Sequence, residues 1–251
     1  MAPESEVDHV LETVANNLQI TNNLMIEPPV RARVLLTAPL ESFTVGHTIV
    51  LSRGMLDVLP DEASLAMVLA HELAHIVLDH VVDTKYSFHD RMLFQDEDTF
   101  RQIVVRRDDA EERAADEKAV ELLKNSPYAD KLGNAGLFLK AVQGRSAQLQ
   151  NLLRPQMGNP LAEPGTVLRM KPLMEGAPEL EAKKLDQIAA LPLGGRIRLD
   201  PWNDNIELVK AEPVALLSPR EKMQFEVAPL FPRLTRVGQQ APQQPKVTQK
   251  Q

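Results

Sequence analysis

Two histidines and a glutamate stand close together in the sequence, at His71, Glu72 and His75, in the pattern H-E-x-x-H. On a helix, residues four positions apart lie one turn apart on the same face, so both imidazoles can bind one cation. Glu72 then flanks a water molecule bound to that cation. The pattern predicts a zinc site that activates water, and the alternative is a core helix that carries two hydrogen-bonded histidines.

A catalytic zinc ion needs a third protein ligand and an open position for water. The metzincin pattern requires Gly at position 78 and His at position 81, but the chain has Leu78 and Val81, which excludes that class. A second predicted helix offers Glu112 and Asp116, again four positions apart. One of these carboxylates could bind zinc while the other accepts the N–H of a ligating histidine. Taken alone, Glu112 also fits a solvated charge on a charged helix.

The composition excludes several other functions. The chain of 251 residues has no cysteine, which excludes disulfide scaffolds, thiolate metal sites and cysteine nucleophiles. Its net charge is −7 and it has no cluster of Lys and Arg, so we expect no nucleic-acid partner. We expect no transmembrane segment and no secretory signal in the sequence as it stands. We expect a soluble chain, located in the cell envelope or periplasm if a signal has been removed.

Helices and a pair of strands must position the candidate site. Apolar spacing predicts helices over residues 4–24, 63–82, 101–124 and 132–142. Residues 33–38 and 43–51 read as paired strands, and the second strand alternates cleanly. One face of it carries the residues that we expect to bind an extended substrate by strand addition, namely Phe43, Val45, His47 and Ile49.

Three sequence segments together resemble a known family. They are S-F-T-V-G-H-T-I-V-L-S-R-G-M-L at residues 42–56, H-E-L-A-H at 71–75 and E-R-A-A-D at 112–116. In this order they are similar to the gluzincin metallopeptidases of peptidase family M48, which includes HtpX and the CAAX prenyl proteases. The chain has no hydrophobic span between the last two motifs, and in this it resembles the soluble branch of that family.

The resemblance implies one Zn²⁺ per chain, bound by His71, His75 and Glu112. It further implies that Glu72 is the general base and that Asp116 supports a ligand from outside the coordination sphere. No residue is assigned to any other cofactor.

The predicted fold class is α+β. It consists of a mostly helical zincin-type metallopeptidase core with a small sheet or hairpin before the active-site helix, and of a C-terminal β appendage. The predicted organisation is a metallopeptidase core at residues 1–155, an irregular connection with a helix at 156–195, a β-rich appendage at 196–237 and a disordered tail at 238–251.

The predicted function is a zinc-dependent endopeptidase that hydrolyses peptide bonds of a protein or peptide substrate. A zinc-bound water would be activated by Glu72. The second donor to the oxyanion stays open among His80, Tyr86, His89 and Arg196.

Three other interpretations fit the same residues. The chain could be a zinc-stabilised binding or chaperone-like module with an inactive site, or a latent protease in which residues 85–100 cover the zinc. It could also be a helical interaction protein whose motifs arose by chance. Zinc content and chelator-sensitive peptide cleavage distinguish these interpretations.

Overall fold

The computed structural model of the chain describes residues 1–80, 106–181, 196–200 and 203–209. In chain order the helices are α1 (Glu6–Thr21), α2 (Arg53–Val58), α3 (Glu62–Val77), α4 (Asp109–Lys124), α5 (Leu132–Arg145) and α6 (Lys171–Glu175). The strands are β1 (Arg31–Leu35), β2 (Ser42–Val45), β3 (Thr48–Ser52), β4 (Ala162–Glu163), β5 (Thr166–Val167), β6 (Ile197–Asp200) and β7 (Asn205–Leu208). This mixture of helices and small sheets agrees with the predicted α+β class.

Some predictions concern residues outside the described ranges. These are the covering loop at 85–100 with Tyr86 and His89, most of the connection after residue 181, the β-rich segment beyond residue 209 and the tail at 238–251. The domain boundaries drawn from the sequence stay predictions.

Helix α3 lies at the centre of the core. It is apolar on nearly every side, and its residues from Ala63 to His75 are buried. Asp61 caps its start by accepting a hydrogen bond from the Ser64 amide at 2.8 Å, and the Asn134 side chain of α5 donates to the same carboxylate at 2.7 Å. The helix contacts α1, α4, α5 and β2. None of the helices in the described ranges combines the length and the apolar character needed to cross a membrane.

The prediction of one continuous strand over residues 43–51 is wrong. The chain turns back on itself at Gly46, so that β2 and β3 form an antiparallel hairpin with Val45 opposite Thr48. Gly46 has φ of 56°, the left-handed conformation that a two-residue hairpin turn requires at its first central position. The period-2 pattern continues through the turn, which is why the alternation alone did not reveal it.

The hairpin separates the four residues expected on one substrate-binding face. Strand β3 lies in the middle of a three-stranded sheet, parallel to β1 and antiparallel to β2. Phe43 and Val45 lie on the edge strand β2, His47 lies in the turn and Ile49 is fully buried in β3. A substrate that adds to the sheet edge would meet only the first two of these residues.

The later part of the described chain packs onto the same core. Strands β6 and β7 form an antiparallel hairpin at the start of the segment predicted to be β-rich. The strand β7 contacts α1, and Ile206 is buried in the same apolar cluster as Leu11 and Leu69. This hairpin is therefore part of the main hydrophobic core.

The short helix α6 packs closely against α5 at Gly136. A Cβ atom at this position would lie 2.2 Å from the carbonyl oxygen of Leu173 and 2.5 Å from the Cβ of Ala177. Only a residue without a side chain allows this approach. The contact fixes α6 and, with it, the residues that precede it.

We expect Gly136→Ala to lower the free energy of unfolding by about 1–3 kcal/mol, because backbone atoms must move to admit the methyl group. Gly144→Ala is the matched control, since it lies in the same helix with no atom near the added Cβ. It should be neutral or stabilising by up to about 1 kcal/mol. Urea unfolding of the chelator-treated chain measures both, and equal changes in the two variants would contradict the close packing of α5 and α6.

Candidate metal centre

Three side chains from two helices converge at the buried centre of the molecule. His71 and His75 lie one turn apart on α3, with their Nε2 atoms 3.2 Å apart. Glu112 approaches from α4, with Oε2 3.2 Å from His71 Nε2 and Oε1 3.6 Å from His75 Nε2. Taken one per residue, the potential ligand atoms all lie within 4.8 Å of one another. This group could hold one metal ion.

The chemistry of these donors fits a zinc ion. Two imidazole nitrogens and one carboxylate oxygen are a common catalytic zinc set that leaves a position open for water. Glu112 Oε2 is buried and has no hydrogen-bond partner among the described residues. Burial raises the pKa of Glu112, but the contact with His71 and the charge of Arg169 outweigh it and lower the pKa. The carboxylate is therefore ionised and has an oxygen available for a cation.

His71 is held by a second carboxylate. Its Nδ1 lies 2.9 Å from Asp116 Oδ1, and the other oxygen of Asp116 accepts a hydrogen bond from the Met170 amide at 2.7 Å. Burial lowers the pKa of His71, but the contacts with Asp116 and Glu112 reverse the shift and raise the pKa to about 9. Two carboxylates around one imidazole thus stabilise positive charge at this position, either as a proton or as a metal ion.

His75 has a different environment. Burial is the main cause that lowers its pKa, and the charges of His71 and Arg107 add to the effect. The ring is therefore neutral, as a metal ligand must be. Its Nδ1 lies 2.9 Å from Nδ1 of His80.

Glu72 is buried beside the converging donors. Its Oε2 accepts a hydrogen bond of 2.8 Å from the hydroxyl of Thr44 on β2, and its Oε1 lies 3.5 Å from Nη1 of Arg169. Glu72, His75 and Glu112 line one small pocket. The Glu72 carboxylate therefore lies directly beside two of the three potential metal ligands.

Sequence reasoning missed the cation that lies in this pocket. Arg169 is buried, its Nε lies 3.4 Å from Glu112 Oε2, and its guanidinium donates to the hydroxyl of Ser42 at 3.2 Å and to the carbonyl of Asn159. The residue comes from an irregular stretch rich in Pro and Gly, where no periodic pattern marks one side chain over another. Nothing in the sequence of that stretch indicated that the arginine is buried.

Arg107 and Thr44 were also missed. The Arg107 guanidinium donates to the carbonyl of His80 at 2.9 Å and to that of Thr44 at 3.4 Å. Its backbone N–H and carbonyl both bond to the side chain of Asn159. These bonds connect β2, the end of α3 and the start of α4 around the pocket. Thr44 could have been found as a polar residue on the face of β2 opposite Phe43.

The structure brings together the five residues that the sequence analysis named for the metal and its surroundings, His71, Glu72, His75, Glu112 and Asp116. Phe43 lines the pocket, whereas the other three residues named for substrate binding do not. Of the four named oxyanion donors, His80 faces His75, Arg196 is not among the residues that line the pocket, and Tyr86 and His89 are outside the described ranges.

Comparison with protein families gives a match to the model of peptidase family M48 over residues 2–95. The matched segment runs from α1 through α3 and includes both histidines. This part of the chain is similar to peptidase family M48. The match supports metalloprotease activity in general, and the resemblance to HtpX and the CAAX prenyl proteases stays a prediction. No curated protein matches the chain.

If Asp116 orients His71, Asp116→Ala should weaken binding of a divalent metal by about tenfold to a hundredfold. Glu112→Ala should lose the metal more completely, because it removes a ligand atom. The matched control is Glu117→Ala, which removes an exposed carboxylate from the same helix. Metal competition with a chromophoric chelator measures all three, and an Asp116→Ala chain that binds as tightly as the Glu117→Ala chain would contradict the role of Asp116.

Proposed function

We propose that this chain is a zinc-dependent endopeptidase, with zinc bound by His71, His75 and Glu112 and with Glu72 as the general base. The observation that carries the proposal is the convergence of two imidazoles and a carboxylate beside a second, buried carboxylate. The match of residues 2–95 to a metallopeptidase family supports the same chemistry. A protein or peptide is the proposed substrate.

When bound, the zinc ion supplies a Lewis acid that lowers the pKa of a coordinated water and polarises the scissile carbonyl. Glu72 accepts the proton of the attacking water and then delivers it to the leaving amine. Thr44 holds one carboxylate oxygen of Glu72, which leaves the other directed into the pocket near Arg169. His71, His75 and Glu112 keep the cation within reach of that carboxylate.

Arg169 is the proposed second donor to the oxyanion. It is buried in the pocket beside Glu72, and bonds to Ser42 and Asn159 hold its guanidinium in place. A fixed cation in a site that excludes water stabilises developing negative charge without reorganisation. The charge of Arg169 also adds to the effect of His71 in lowering the pKa of Glu112, which keeps that carboxylate ionised.

A second candidate function is a zinc-stabilised binding module, or a latent protease, whose site is closed. One observation favours it. Gly158 and Asn159 line the pocket together with Ser42 and Phe43, and a Cβ atom on Gly158 would lie 2.8 Å from the Ser42 carbonyl oxygen. These residues therefore cover part of the edge strand that an extended substrate would join. Zinc binding without chelator-sensitive cleavage would favour this candidate.

Glu72→Gln should retain zinc and lose cleavage of an unfolded protein or peptide, because the amide cannot accept the proton of the attacking water. Zinc content and cleavage of a peptide library, each with and without chelator, are the measurements. Glu117→Gln is the control, as it makes the same substitution at an exposed position. If Glu72→Gln cleaves as fast as this control, Glu72 is not the general base.

Arg169→Met should lower kcat by about a hundredfold or more while KM changes less, because the cation is needed mainly in the transition state. Arg154→Met makes the same substitution at an exposed arginine and should leave both constants unchanged. Zinc content must be measured alongside, since Arg169 also contacts Glu112. A change confined to KM would assign Arg169 to substrate binding instead.

A further inference from the structure

Helix α3 ends in a way that returns the chain onto His75. Asp79 takes up the left-handed conformation, with φ of 53°. Its amide donates to the carbonyl of Ile76 at 3.1 Å, and the amide of His80 donates to the carbonyl of His75 at 3.0 Å. This pair of bonds is the Schellman arrangement, in which the second residue beyond the helix bonds back to the third residue from its end. The turn therefore carries residue 80 back to the level of residue 75.

The turn places two imidazoles in direct contact. Nδ1 of His80 lies 2.9 Å from Nδ1 of His75, and the ring centroids are 5.1 Å apart. Nε2 of His75 faces His71 and Glu112 on the other side of the ring. If Nε2 of His75 binds the metal, its Nδ1 must carry the proton and donate. The atom in position to accept that hydrogen bond is Nδ1 of His80.

The backbone of His80 is also held from the opposite side. Its carbonyl accepts a hydrogen bond of 2.9 Å from Arg107, whose own backbone is bonded to Asn159 on both sides. The position of the His80 ring is thus determined by the helix end and by the start of α4 together. His80 is only half-buried, so its replacement does not leave a large cavity in the core.

We propose that His80 is a positioning residue for His75, an inference that rests on the zinc site of the proposed function. By accepting the Nδ1 proton, His80 fixes the tautomer and the ring orientation that direct Nε2 of His75 at the metal. His71 has Asp116 for the same purpose, so each histidine ligand has its own acceptor. The functional unit then extends from H-E-x-x-H to the histidine five positions beyond it.

Asparagine and leucine give a matched pair of substitutions at this position. The amide oxygen that His80→Asn introduces can occupy the place of the histidine Nδ1 and accept the same hydrogen bond. His80→Leu has a side chain of similar shape without an acceptor. We expect His80→Leu to bind Zn²⁺ about tenfold to a hundredfold more weakly than the parent, and His80→Asn to stay close to the parent. Competition with a chromophoric chelator measures the affinities.

A role in folding alone predicts a different result. Urea unfolding of the metal-free chains should give similar midpoints for the parent and both variants, because the acceptor matters only for presenting His75 to the metal. Equal zinc affinity in His80→Leu and His80→Asn, whether both are weak or both are tight, would overturn the role of His80. A parent chain that binds no zinc would overturn the proposed function as well, so the two failures are distinguishable.

Substitutions at Asp79 in the turn test the proposal independently, because they leave the side chains of His75 and His80 unchanged. Asp79→Val places a β-branched residue in the left-handed conformation and should disturb the turn, whereas Asp79→Gly should keep it. We expect weaker Zn²⁺ binding for Asp79→Val than for Asp79→Gly. The difference in Zn²⁺ affinity should vanish when each Asp79 variant is combined with His80→Leu, because the turn then positions no acceptor for the Nδ1 proton of His75. A difference that persists in that background would contradict the proposal.

Discussion

Three ionisable side chains of α3 are buried in the core, and their burial is the constraint on which the surrounding structure depends. His71, Glu72 and His75 are each at most 2% exposed. A buried polar group without a partner costs about 1–3 kcal/mol, and an unpaired charge costs more. Each of the three therefore requires partners from other elements. Asp116 on α4 supplies one for His71, Thr44 on β2 and Arg169 before α6 supply them for Glu72, and His80 lies beside His75.

The partners of His71, Glu72 and His75 differ in charge, and each side chain therefore has a different electrostatic environment. His71 has two acidic neighbours, which favour positive charge at its ring. His75 has the imidazole of His80 at one nitrogen, and its burial, together with the cationic groups nearby, lowers its pKa and keeps it neutral. Glu72 lies between a hydroxyl and a guanidinium. A single cation bound among these groups would compensate the carboxylates that the core has to contain.

The parts of this site that the sequence predicted are those that depend on local spacing. His71 and His75 share a face because they are four positions apart on one helix, and the same holds for Glu112 and Asp116. The alternation of β2 and β3 was read correctly as strand, but the turn at Gly46 was not recognised. The two strands are separated by the backbone conformation at that glycine, and the alternation of apolar and polar residues gives no indication of that conformation.

The parts that the sequence did not predict come from distant positions. Arg169 reaches Ser42 across 127 positions of the chain, and Arg107 joins Thr44 across 63. Arg169 stands outside any periodic pattern and Arg107 is a polar position of a predicted helix, so nothing local distinguishes them from exposed cations. His80 was named as a candidate oxyanion donor, but its contact with His75 depends on the left-handed residue Asp79, which ends the helix. In each case the tertiary fold determines the partner.

The residues Arg169 and Met170 connect the groups of the site to one another. The Arg169 side chain contacts both Glu72 and Glu112, and the Met170 amide donates to Asp116. Met170 takes up the left-handed conformation, with φ of 58°, which is unfavourable for a residue with a side chain and persists only where the surroundings impose it. The close packing of α5 and α6 at Gly136 supplies that constraint, because it fixes the helix that begins at the next residue. A displacement of α6 would therefore act together on the proposed general base, on the proposed carboxylate ligand and on the carboxylate beside His71. The geometry of the proposed metal site thus depends on a packing contact that contains no ionisable group.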